Sequence, residues 1–182
     1  DGLSGFVPDS LADCQGKSGS LATDQFGNLA GFGGLYRGGK IKAIGVSNFL
    51  PRHLEPLLAA AEIPPMVNQI EIHPGMLQQE TVDFCHAHDI LVEAWAPFSN
   101  GQIFGNHVLQ EIAGKYRKSV AQIALRWLVQ KGIVPLPKSV TPERIQDNLH
   151  IFDFTISDED MKQIDRITDC AGSGLHPDHV DF

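Results

Sequence analysis

Basic side chains and cysteines are scarce in this sequence. Lys and Arg number 14 against 22 Asp and Glu, so the formal net charge is −8 and the pI is near 5.4. That balance argues against nucleic acid or an anionic membrane as the main partner, since both call for an excess of cations. It does not forbid a local basic pocket. Cys14, Cys85 and Cys170 stand too far apart for CxxC spacing and make no disulfide framework. They fit a reducing compartment, with Cys85 reading as a small core residue. No apolar run is long enough to cross a bilayer, and no basic-then-apolar leader opens the chain. The expectation is a soluble cytoplasmic protein. His53, His86, His88, His107, His150, His176 and His179 share no ligand spacing on one face, so no metal site is expected. A length of 182 residues suits one well-buried domain.

Periodicity is also missing from residues 1–34, which are rich in Gly, Ser, Asp and Asn. This segment reads as irregular, with a short helix expected around Leu29 to Tyr36, and adds little core. From Lys40 the character changes. The runs IKAIGVSNF, MVNQIEIHP, ILVEAWAPF and IVPL read as strands. Between and after them lie amphipathic stretches: LPRHLEPLLAAAE, LQQETVDFCHAHD, VLQEIAGKYRK, SVAQIALRWLVQKG, and the helix that starts at Pro142. Pro56 either kinks the first of these or delays its start. Ser119 with Gln122 makes a capping box, and Gly132 suits the residue after the helix end. Ser157 caps a last helix, DEDMKQIDRI, and GSGLHPDHVDF is expected to be a surface coil. Strands and helices alternating in this way indicate right-handed βαβ units and a parallel sheet. About four units are visible, half of what a closed (β/α)8 barrel requires.

The stretch IVPLPKSVTPERIQDN concentrates the polar chemistry. Thr141 suits an N-cap, Pro142 the first helical position and Glu143 the positive end of the helix dipole. Lys138, Ser139, Thr141, Arg144 and the free N–H groups of a helix start then supply what a phosphate needs. Further polar residues fall at the strand C-terminal ends: Ser47, Asn48, Asn68, Gln69, Glu71 and Trp95. In a parallel α/β layout those ends share one face, where ligands bind. Taken singly, Ser47-Asn48 could be a helix-entry cap, Gln69 a buried amide, Trp95 plain core, and Lys138 and Arg144 solvated charges. His73 before Pro74 reads as a structural histidine.

GKIKAIGVSNF, VNQIEIHP, LVEAWAPF and VPLPKSVTPERIQDN resemble the aldo-keto reductase family in order and spacing, and HPDHVDF resembles its C-terminus. The likeness runs from about Leu35 to Phe182, leaving 1–34 without family resemblance. It implies a (β/α)8 TIM barrel of which this chain carries the second half, strands five to eight. It also implies an NADPH-dependent oxidoreductase acting on a small-molecule carbonyl substrate. Position by position, Ser47, Asn48 and Gln69 match groups that bind the nicotinamide carboxamide. Trp95 matches the aromatic, usually Tyr, that stacks on the nicotinamide. Pro97, Phe98 and the loop from Ser99 to Gln102 match the segment beside the pyrophosphate. Lys138, Ser139, Val140, Thr141 and Arg144 match the 2′-phosphate pocket, and Asp147 and Asn148 the residues facing adenine. Lys138 with Arg144 favours NADPH over NADH.

What the resemblance implies about chemistry finds no residues here. The family's acid–base groups are an Asp, a Tyr, a Lys and a His from the first half of the barrel. Residues 1–34 hold no His and no Tyr, and Asp9, Asp13, Lys17 and Asp24 stand in no family context. No catalytic residue is assigned. A half-barrel would expose two strand edges and inward-facing apolar side chains. The expectation is therefore a partner that completes the sheet, first of all a second copy, or else a truncated, fragile chain. Three functions follow: a reductase lacking its catalytic half, a half-barrel that binds NADPH without turnover, or a degenerate or assembly fragment.

Overall fold

The computed structural model describes residues 33–175. After a helical turn at 33–37 come β1 (Gly45–Ser47), α1 (Pro51–Ala60), β2 (Val67–Glu71), α2 (Gln79–Ala87) and β3 (Leu91–Trp95). A 3-10 segment (Ser99–Gly105) leads into α3 (His107–Tyr116), α4 (Val120–Gln130), β4 (Val134–Pro135), α5 (Pro142–Leu149) and α6 (Asp158–Asp165). The four strands pair in parallel in the order β1-β2-β3-β4. Sequence neighbours are sheet neighbours throughout, as repeated βαβ crossovers require.

Strand pleating divides the sheet into two faces. Val46, Asn68, Ile70, Val92 and Ala94 are buried beneath the helices, in one cluster with Leu54, Val82, Cys85, Leu109 and Ile123. Asn68 survives there because its Nδ2 donates to Phe49 O at 2.8 Å and its Oδ1 accepts from Phe49 N at 3.4 Å. Ser47, Gln69 and Glu93 align in the next row on the opposite face, which carries the exposed Leu91, Val134 and Leu136.

Helix α4 forms where its capping box and apolar stripe place it. Ser119 Oγ accepts from Gln122 N at 3.2 Å, and Ser119 N donates to Gln122 Oε1 at 2.9 Å. Ile123, Ala124, Trp127 and Leu128 are fully buried, and Gly132 at φ +74° turns the chain out of the helix. Trp127 keeps its indole N–H satisfied by donating to Asp165 Oδ1 at 2.8 Å. On α6, burial pushes the Asp160 carboxyl up, but bonds from Lys115 Nζ (2.7 Å), Tyr116 OH (2.6 Å) and Ser157 Oγ (2.9 Å) outweigh it and hold its pKa below the ordinary carboxylate value.

Three local expectations need correcting. Helix α1 begins at Pro51 and runs through Pro56, so Pro56 does not delay it. Thr141 occupies the N-cap position of α5, but its side chain makes no capping bond. Its backbone N–H donates to Ser139 Oγ at 3.3 Å, a local turn just before the helix. The start of the supposed surface coil is pinned: Ser173 N and Oγ donate to Glu71 Oε1 and Oε2 at 2.7 and 2.6 Å. Residues 1–32 and 176–182, including the first half of the helix expected around Leu29 to Tyr36, lie outside the described residues. No described helix is long and apolar enough to cross a membrane.

Candidate functional site

All four strands point the same way, so their C-terminal ends form one rim. Ser47, Asn48 and Gln69 meet there. Ser47 Oγ donates to Gln69 O at 3.2 Å, and Asn48 N donates to the same oxygen at 2.9 Å. Gln69 Nε2 donates to Glu93 Oε2 at 2.9 Å, which fixes the side-chain amide. Trp95 Nε1 donates to Asn48 Oδ1 at 2.8 Å. An indole is donor only, so this bond also sets which way the Asn48 amide faces. Sequence reasoning missed Glu93. Its signal is the register, which pairs Gln69 with Glu93 on the side away from the core.

Beside this rim lies a cavity of about 700 Å3. Of the residues singled out in the sequence, Pro97, Phe98, Lys138, Ser139, Val140, Thr141, Arg144, Asp147 and Asn148 line it. Ser47, Asn48, Gln69 and Trp95 do not; they hold the adjoining strand ends. The two groups thus share one end of the sheet but not one wall. Ser119, Leu136 and Phe104 also line the cavity and were not anticipated. Phe104 packs on Phe98 at 5.8 Å between ring centroids, a contact that loop sequence does not announce.

Two elements shape the walls. Helix α5 has no buried residue, so its own apolar face does not hold it. Gln122, already part of the α4 capping box, donates from Nε2 to Asp147 O at 3.0 Å and His150 O at 3.3 Å, tying the far end of α5 to α4. Opposite, the chain from Ala96 to Gly101 contains four left-handed residues: Ala96 (φ 50°), Ser99 (φ 46°), Asn100 (φ 50°) and Gly101 (φ 94°). Gly tolerates this and Asn does so better than most, while Ala and Ser each cost roughly 1–2 kcal/mol. Tertiary contacts must hold them.

The cavity therefore offers two cations, two hydroxyls and a helix start at one end, and aromatic and backbone surface at the other. That is the donor set for a phosphorylated ligand with a flat ring. Away from it, His73 is fully buried, with Nδ1 2.9 Å from Pro74 O. A carbonyl only accepts, so Nδ1 carries the proton. Among the described residues, no group of three or more His, Cys, Asp or Glu could hold a metal ion.

Comparison with known proteins agrees with this geometry. Residues 29–169 match the Aldo/keto reductase family. Glyoxal reductase of Bacillus subtilis (strain 168) is 51% identical over 148 residues, 81% of this chain and 54% of that protein. The crystal structure of MGS-M4, an aldo-keto reductase from a Medee basin deep-sea metagenome library, superposes with a TM-score of 0.80 at 44% identity, over 83% of this chain and 57% of that one. A variant of Gox0644 in complex with NADPH superposes with a TM-score of 0.80 at 35% identity, over 85% of this chain and 57% of that one. The chain spans about half the length of the curated relatives it matches. With four parallel βα units, the described rim and this match over most of its length, the chain belongs to the aldo/keto reductase family, whose fold is the (β/α)8 barrel.

Proposed function

We propose that this chain is the dinucleotide-gripping half, strands five to eight, of an NADPH-dependent reductase of aldehydes and ketones. The observation that carries the reading is the coincidence of Lys138, Ser139, Thr141 and Arg144 in one cavity beside the rim amides. The fit to NADPH is chemical. Lys138 supplies a point charge and Arg144 a planar fork for the 2′-phosphate, with Ser139 and Thr141 adding hydroxyls. Asp147 and Asn148 stand further along the same helix, on the adenine side. Pro97, Phe98 and the turn after them would flank the pyrophosphate. Ser47, Asn48 and Gln69 would hold the carboxamide, with Trp95 against the ring. A volume near 700 Å3 lies within the range of cofactor sites. When bound, NADPH supplies the hydride; this chain's residues bind it, orient one ring face and keep phosphate charge away from the reacting end.

The alternative reading is a half-barrel that binds NADPH without turnover. The two tyrosines of the sequence are Tyr36, in the turn at 33–37, and Tyr116, which donates to Asp160 on the helical side. Neither stands at a strand end, so on the reductase reading the proton donor for a carbonyl oxygen comes from the barrel half outside this chain. The open side of the sheet supports the half-barrel reading. Leu91, Val134 and Leu136 are exposed on it, and Ile145 and Leu149 are exposed one turn apart on α5. A strand edge with an apolar helix stripe alongside is what a further βα unit would cover, each large side chain gaining roughly 1.5–3 kcal/mol. Those units come from a longer polypeptide or from a second copy. Sedimentation distinguishes the two, since a second copy doubles the mass.

NADPH titration followed by tryptophan fluorescence tests the cofactor reading. Saturable quenching that Trp95→Phe abolishes supports it, and no binding at millimolar NADPH overturns it. Turnover of a generic aldehyde then separates the reductase from the binding module.

A further inference from the structure

The segment Asp169–Ser173 crosses the rim as a strap, and its anchors reach the cavity wall from behind. Asn106 Nδ2 donates to Asp169 Oδ1 at 2.8 Å. Cys170 is buried against Gly75, where a Cβ would stand 2.6 Å from Cys170 O. Ala171 O accepts from Ser99 Oγ at 2.6 Å, and Ala171 N donates to Gln102 Oε1 at 3.0 Å. Ser173 closes the strap with its two bonds to Glu71, a carboxylate only 2% exposed.

Ser99 and Gln102 belong to the same left-handed turn and 3-10 segment whose Asn100, Gly101 and Phe104 line the cavity. Ser99 itself is 1% exposed and held at φ 46°. A conformation that the backbone disfavours persists only while tertiary contacts over-determine it. Buried Ile103 anchors the segment in the core, and the strap's bonds to Ser99 and Gln102 are the contacts that hold its turn from the rim side. The strap in turn is fixed at Glu71, which lies on β2 and does not line the cavity.

We infer that Asp169–Ser173 is a latch, and that Glu71 and Ser99 are positioning residues which set the cavity wall through it. With the strap fastened, the segment Ser99–Gly105 is held against the cavity; with it loosened, the left-handed turn relaxes and the wall opens. The consequence for ligand exchange rests on the dinucleotide reading of the cavity. The mechanical coupling does not. A wall that only gates exit changes the dissociation rate and leaves association nearly as it was.

Glu71→Gln tests this at a distance, because the substitution removes one acceptor from Ser173 and touches nothing in the cavity. Hydrogen exchange of the amides at 100–105 in the ligand-free protein should accelerate by about tenfold or more, as expected when a local opening is favoured. Stopped-flow NADPH release should quicken about fivefold with association within about twofold. If Glu71→Gln fails to fold, Ser99→Ala cuts the other anchor, and the amides at 170–173 become the reporters. Exchange that stays unchanged at the remote end in the folded variant overturns the latch. Absence of NADPH binding in the parent protein with accelerated exchange in the variant overturns the cofactor reading and leaves the latch standing. A general rise in exchange across α1 to α4 shows loss of stability instead, and also overturns it.

Discussion

Replacing Lys138 or Arg144 by Met should weaken NADPH far more than NADH, and the geometry sets the size of the effect. Both side chains line the cavity but are exposed, Arg144 in the first turn of α5 and Lys138 four residues before that helix. A buried charge-assisted bond contributes roughly 1.5–3 kcal/mol. Solvent screening puts these two at the low end, about 1–1.5 kcal/mol each. At about 1.4 kcal/mol per factor of ten, each substitution costs about 5- to 12-fold in the Kd for NADPH. NADH lacks the 2′-phosphate and should shift by less than about twofold. Isothermal titration of both nucleotides at low salt, repeated near 0.5 M salt, reads the difference, and the NADPH preference should shrink as salt rises. Equal losses for NADPH and NADH would refute the argument, because they would mean that the cations hold the pyrophosphate or merely the fold. An unchanged affinity for both would remove Lys138 and Arg144 from the site.

Gly75→Ala should destabilise the chain by about 2–4 kcal/mol in a denaturant melt, because φ is +99° and the new methyl would meet Cys170 O at 2.6 Å; a change under ~1 kcal/mol would mean the strap does not pack there. Asp160→Asn should flatten the acid limb of stability. A carboxyl whose folded pKa is depressed contributes stability that is full above its unfolded value near ~4 and is lost as pH falls through the lower folded value. Thermal melts from neutral pH to about pH 3 should therefore show a smaller fall in Tm for the variant than for the parent; parallel curves would reject this. Burial pushes the Cys85 and Cys170 thiols up, so both should resist a thiol reagent in the native state and react on unfolding. Native-state labelling of either at the rate of a free thiol would contradict the packing.

Much of the fold was legible because its signals are local. The Ser119–Gln122 box, the stripe Ile123–Trp127–Leu128 and the stop at Gly132 are short-range features that the structure reproduces residue for residue. The strands could be read from apolar runs between helical patterns, and their parallel order follows from crossover length. Thr141 takes the N-cap position as its residue type suggests, yet its hydroxyl accepts no helix N–H, a side-chain orientation that residue preference does not fix.

The sequence by itself determined the alternation of strands and helices, and which polar residues stand at strand ends, since both depend on spacing along the chain. Only the tertiary structure decided which of those residues share a cavity, that Glu93 orients Gln69, and that Trp95 orients Asn48. It also decided that the strap Asp169–Ser173, whose end was read as coil, fastens Glu71 to the turn at Ser99, 28 residues away along the chain. These contacts join residues whose types carry no mark of their partner; register and packing alone bring them together.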